Sequence, residues 1–152
     1  MKKILALLSA IVSVFVMVSL SACGGSGGST TVTFMYGGST EMNEMFKVLV
    51  DEFNATVGQE KGITINVTAI SSSSDLNRSL EMIANGDPGA PDMPDIFTGY
   101  PKVAAWFVEK EKLLPLDKYF TEDELSQYIG AFVQEGRFAD GKLYVFPVAK
   151  ST

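Results

Sequence analysis

The chain predicts an α/β fold with a mostly parallel sheet flanked by helices. Three observations carry that expectation. Short β-rich runs recur at 31–36 (TVTFMY), 63–70 (ITINVTAI) and 95–98 (DIFT). Between them lie stretches whose apolar residues repeat at helical spacing. The connections are short, and strands alternating with helices pair in parallel through crossover helices on the two faces.

The first strand is stopped by Gly37-Gly38-Ser39-Thr40. From Glu41 to about Val57 the residues Met42, Met45, Phe46, Leu49 and Phe53 mark one helical face, with Thr40 as the expected N-cap. Met42 and Met45 are expected in the core. Gly58 and Gly62 punctuate the turn into the second strand, and 71–74 supplies a polar turn and cap. Leu76, Leu80, Ile83 and Ala84 then form the apolar face of a helix ending at Asn85-Gly86.

Three prolines exclude helix and central strand from 87–94. Asp95, Ile96, Phe97 and Thr98 read as a short strand of buried type, and Gly99-Tyr100-Pro101 turns into a helix over about 102–110. Leu113-Leu114-Pro115-Leu116 is an apolar connector. Thr121 and Glu124 match a capping box for a helix reaching Phe132 or Gln134. Asp140-Gly141 signals a turn into a last strand over 143–148. The predicted order is β-α-β-α-β-α-α-β.

Composition excludes several function classes. The chain has 152 residues, with 12 Lys and Arg against 18 Asp and Glu, for a net charge of −6. With no basic cluster, nucleic acid is not an expected partner, because its binding rests on cationic contacts to phosphate. There is no histidine, and Cys23 is the sole cysteine. Nucleophile pairs with histidine, His/Cys zinc sites and internal disulfides are thereby excluded, and no cofactor is implied. Enzymes built only on carboxylates stay open. Asp87, Asp92 and Asp95 invite a hard-cation reading, yet lack the regular alternation of a cation loop, so no metal site is assigned.

The amino terminus combines Lys2 and Lys3, an apolar run from Ile4 to Leu20, and small residues before Cys23, the layout of an export signal. The run is short of the ~20 residues a spanning helix needs. Leu20-Ser21-Ala22-Cys23 resembles the lipobox of bacterial lipoproteins. That resemblance implies a signal peptide at 1–22, cleavage before Cys23 and lipidation of its sulfur. Residues 23–30, rich in Gly and Ser, are then a flexible tether, and the folded part is 31–152.

In α/β sheets, ligands bind beyond the carboxyl ends of the strands. Three loops are thereby candidates: 37–41, 71–75 and 98–100. Ser39, Thr40 and Glu41 offer hydroxyls and helix N-terminal amides to a polar ligand, with helix capping as the alternative role for Ser39 or Thr40. Tyr100 directly follows the third strand. Trp106 lies within the following helix and is expected in the core. The runs 109–112 and 122–124 are expected as solvated faces.

Phe53-Asn54, Gly86-Asp87 leading to Pro94-Asp95-Ile96-Phe97, Leu113-Leu114-Pro115-Leu116, and the block 141–148 (GKLYVFPV) follow one another behind the lipobox. In that order they resemble extracellular solute-binding proteins of ABC importers, within the sugar-binding group that includes maltose-binding protein. The resemblance implies a periplasmic-binding-protein-like lobe and no enzymatic activity. It also implies a lipid-anchored receptor on the outer face of a bacterial cell membrane, binding a sugar or related small polar solute and passing it to a membrane permease. It gives Tyr100 a stacking role against a sugar ring and places Ser151 near the cleft edge. Members of the group are two to three times longer and have two lobes, so the chain corresponds to the N-terminal lobe with the second lobe missing. The competing readings are a surface lipoprotein that processes glycans with carboxylates, and a sensor or adhesion lipoprotein.

Overall fold

A computed structural model describes residues 29–148. Strand β1 (Thr30–Gly37) lies at the centre of a three-stranded sheet, with β2 (Ile63–Ile70) on one side and β3 (Ile96–Phe97) on the other. Both pairings are parallel, running from Thr30 opposite Ile63 to Gly37 opposite Ile70, and with Met35 opposite Phe97. The expected α/β lobe with a parallel sheet flanked by helices is therefore present.

Strand alternation sends Phe34 and Tyr36 to one face of the sheet and Met35 to the other. Helix α1 (Thr40–Ala55) covers the first face. Its Phe46 ring meets Phe34 edge-on at 5.5 Å and Tyr36 at 5.0 Å. A short helix α2 (Val57–Lys61) closes the connection to β2. On the opposite face, Met35 packs with Leu76, Leu80, Ile83 and Ala84 of α3 (Ser73–Asn85) and with Val103 and Phe107 of α4 (Pro101–Val108). All four α3 residues expected on its apolar face are buried, and Gly86 ends the helix in the left-handed conformation at φ 72°. Trp106 packs against this same core, as expected.

Two side chains tie neighbouring elements together. Asn54 at the end of α1 both donates to and accepts from the Ile65 backbone, at 2.9 and 2.8 Å. It occupies the free edge of β2 as a strand neighbour would. Lys110 is exposed, as expected of its charged run, but its ammonium also donates to the Ala84 carbonyl at 2.5 Å and to Asn85 Oδ1 at 3.2 Å. A cation thus meets the carboxyl end of α3 and satisfies one of its terminal carbonyls.

The last third differs from expectation. The capping box of Thr121 and Glu124 is formed, but it opens only a short helix α5 (Glu122–Ser126), and a separate α6 (Gly130–Glu135) follows. The break falls at Ile129, whose extended backbone (φ −64°, ψ 112°) caps the second helix. Residues 143–148 do not form a strand; only an isolated antiparallel bridge joins Arg137 and Leu143. The reason is where the backbone bonds go. Leu143 N–H donates to Asp117, and Tyr144 N–H and Val145 N–H both donate to the Gly136 carbonyl. Leu125, Val133 and Leu143 make a second small core with Leu116, Phe120 and Phe146.

Two further expectations are corrected. Strand β3 is not of buried type: it has two residues, and Ile96 is 49% exposed. Met42 and Met45 are not core residues. α1 faces the sheet through Phe46 and Val50, which leaves Met45 44% and Met42 36% exposed.

Candidate ligand-binding edge of the lobe

The chain leaves β1 and β3 in opposite directions. After β1 it passes to α1 on the Phe34/Tyr36 face, and after β3 it passes to α4 on the Met35 face. The two strands are neighbours, and the Thr98 N–H donates to the Met35 carbonyl at 3.0 Å just beyond the paired residues. In open α/β sheets, divergence of this kind marks the place at the carboxyl ends of adjacent strands where ligands are held. The segments that flank it in this chain are 37–39 and 98–100. The candidate loop 71–75 follows the outer strand β2, on the far side of β1 from this divergence.

Gly37 is closely packed: a Cβ there would lie 3.0 Å from Leu76 and 3.2 Å from Ile70, so those side chains would have to shift. Ser39 then caps α1, its hydroxyl accepting from Met42 N–H at 3.3 Å, so the cap is Ser39 and not Thr40. Glu41 is exposed in the first turn, where a carboxylate suits the positive helix end. The Ser39 hydroxyl and a backbone amide hold its carboxyl below the ordinary range.

Tyr100 is the extended residue before α4, and Pro101 takes the first helical position. The Tyr100 carbonyl accepts from Val103 and Ala104 N–H at 2.9 and 3.2 Å, fixing the backbone while its side chain is 55% exposed. Ser72 caps α3 through Asp75 N–H at 3.1 Å. Ser151 and Cys23 lie outside the described residues.

A groove of about 290 Å³ opens on the β2 side of the divergence, between α1 and the end of β2. Tyr36, Thr40, Asn43, Glu44, Lys47 and Ser71 line it. Of the expected contact residues, the structure brings only Thr40 into this groove; Ser39, Glu41 and Tyr100 are not among its walls. Tyr36, Asn43 and Lys47 were not singled out from the sequence. The available signal was the helical spacing of Thr40, Asn43 and Lys47, which puts one polar face of α1 over the sheet end.

The acidic residues of 87–95 do not converge on a cation. Asp95 is occupied by Thr33, and among the described residues no group of three or more His, Cys, Asp or Glu is placed to hold a metal. Among those residues, too, no helix is long and apolar enough to cross a membrane.

The parallel sheet, the helices on both faces and the β1/β3 divergence define one lobe of a periplasmic-binding-protein-like fold. Residues 48–152 match the bacterial extracellular solute-binding protein family, and the chain belongs to that family. Two solved structures share the fold. One comes from work on xylan utilization by the thermophilic bacterium Caldanaerobius polysaccharolyticus, at 20% identity and a TM-score of 0.58. The other is CpMnBP1 with mannotriose bound, at 18% identity and a TM-score of 0.54. In each case 75% of this chain aligns with 27% of the other, so the chain corresponds to about a quarter of those proteins. No curated protein matches the chain.

Proposed function

We propose that the chain is the ligand-holding N-terminal lobe of a lipid-anchored solute receptor, which binds a sugar and delivers it to the permease of an ABC importer. The observation that supports the reading is the divergence of the chain after the paired strands β1 and β3, with an exposed Tyr100 following β3, in a member of the extracellular solute-binding family. An aromatic face suits the C–H surface of a sugar ring, and the amides and hydroxyls at the start of α1 suit its hydroxyls. The resemblance to a protein with mannotriose bound and to one from xylan utilization favours short xylo- or manno-oligosaccharides as the solute.

The mechanism is binding and not turnover. In a two-lobed receptor the ligand favours the closed arrangement by touching both lobes, so its differential affinity sets the population that the permease meets. The lobe described here supplies one wall. Lipidation of Cys23 would keep the receptor at the membrane, two acyl chains being needed for stable attachment, and 23–30 would give it reach. Signal-peptide cleavage before Cys23, the anchor and the outer-face location belong to this same proposal.

Isothermal titration of the full chain with xylotriose and mannotriose tests the reading, with chromatography of the mixture for products. Saturable binding without product supports a receptor. Product formation would sink it in favour of a carboxylate enzyme.

A further inference from the structure

Beneath the groove between α1 and β2, donors and acceptors are poorly matched. Tyr36 is almost wholly buried, and its hydroxyl donates only at 3.4 Å to the Asn43 backbone carbonyl. The Asn43 side-chain amide donates to the Ile70 carbonyl at 3.2 Å. Its carbonyl oxygen, Oδ1, is buried and has no hydrogen-bond partner among the described residues. A buried acceptor left unpaired costs the desolvation of that group, and native structures nearly always give such a group a protein, water or ligand partner.

We infer that this groove is a second polar subsite, in which a hydroxyl of a small neutral polyol inserts between Tyr36 and Asn43. A hydroxyl has the required duality: it accepts from Tyr36 Oη and donates to Asn43 Oδ1. Oδ1 is buried, so contact with a guest requires the Asn43 amide to turn outward and release its bond to the Ile70 carbonyl. The rim fits a neutral guest. Glu44 and Lys47 contribute one charge of each sign, Lys47 is already paired with Asp51 at 2.5 Å, and Thr40 and Ser71 add hydroxyls. A volume of about 290 Å³ suits a molecule of monosaccharide size or smaller. The ligand class rests on the proposed function, whereas the position of the subsite rests on the groove alone.

The test is a titration of the 15N-labelled full chain with D-xylose and with glycerol, followed at the Asn43 side-chain amide. The inference expects a saturable shift there. Tyr36→Phe, which keeps the ring and removes the hydroxyl, should weaken it about fivefold, and Asn43→Leu about tenfold. Thermal melts establish that each variant is folded, and Tyr36→Phe serves alone if Asn43→Leu is not. An absent or non-saturating shift, or unchanged affinity in Tyr36→Phe, overturns the subsite. Shifts confined to 98–101 also overturn it while leaving the proposed function standing.

Discussion

Asp95 and Thr33 are interlocked across the start of the β1/β3 pairing. Asp95 Oδ2 accepts from Thr33 N–H at 2.8 Å and from its hydroxyl at 2.7 Å, while Asp95 N–H donates back to Thr33 Oγ1 at 2.9 Å. Strand β3 has only two residues, so a side chain supplies register that a longer ladder would provide by itself. Those bonds to Thr33 hold the Asp95 carboxyl below the ordinary aspartate range.

A depressed carboxyl contributes stability that is complete above its unfolded pKa, ~3.9, and is lost as pH falls through the lower folded value. Asp95→Asn should therefore lower Tm at pH 7. The gap between wild type and variant should narrow as pH falls below ~3.9 and close only once the pH has passed below the depressed folded value. Thermal melts from pH 7 to 2 measure this; a gap independent of pH would remove the carboxylate from the account.

Asn54 predicts a different outcome. Asn54→Ala removes two bonds to the Ile65 backbone on the free side of β2. The expected loss is about 1–2 kcal/mol in urea unfolding. The uncovered strand edge should also promote association, visible by light scattering. Equal stability with no association would show that the edge needs no cover.

In the last third, Gly136 sits where any Cβ would collide with the Val145 carbonyl. Gly136→Ala should cost roughly 1–3 kcal/mol by forcing the backbone apart. Hydrogen exchange should show the loss in the second small core (Leu125, Val133, Leu143) well before it reaches Leu80 or Phe107.

The sequence could be read furthest where the signals are local: β2, the α3 face ending at Gly86, and the capping box of Thr121 and Glu124. The β1/β3 divergence was partly legible, since strand order decides which loops adjoin and only pairing reveals that order. The run 143–148 has β composition, yet its amides are taken by Asp117 and Gly136, partners distant in sequence or hidden in a turn. Met42 and Met45 carry helical periodicity, but periodicity defines a stripe and not which edge of it meets the sheet. Asn43 was missed because an asparagine within a helix carries no local sign that its acceptor will lie buried and unpaired.

Lipidation makes a separate prediction. With Cys23→Ala the protein should leave the membrane fraction for the soluble one on cell fractionation, since the acyl chains provide the attachment. Retention in the membrane would contradict a Cys23 anchor.

The central claim is that ligand sits where β1 and β3 diverge. Amide hydrogen exchange of the full chain, with and without mannotriose and xylotriose, tests it most directly. The account predicts protection concentrated at 37–41 and 98–101, with Tyr100→Ala weakening affinity about tenfold or more while leaving Tm nearly unchanged. Protection elsewhere in the lobe, or full affinity in Tyr100→Ala, would contradict it.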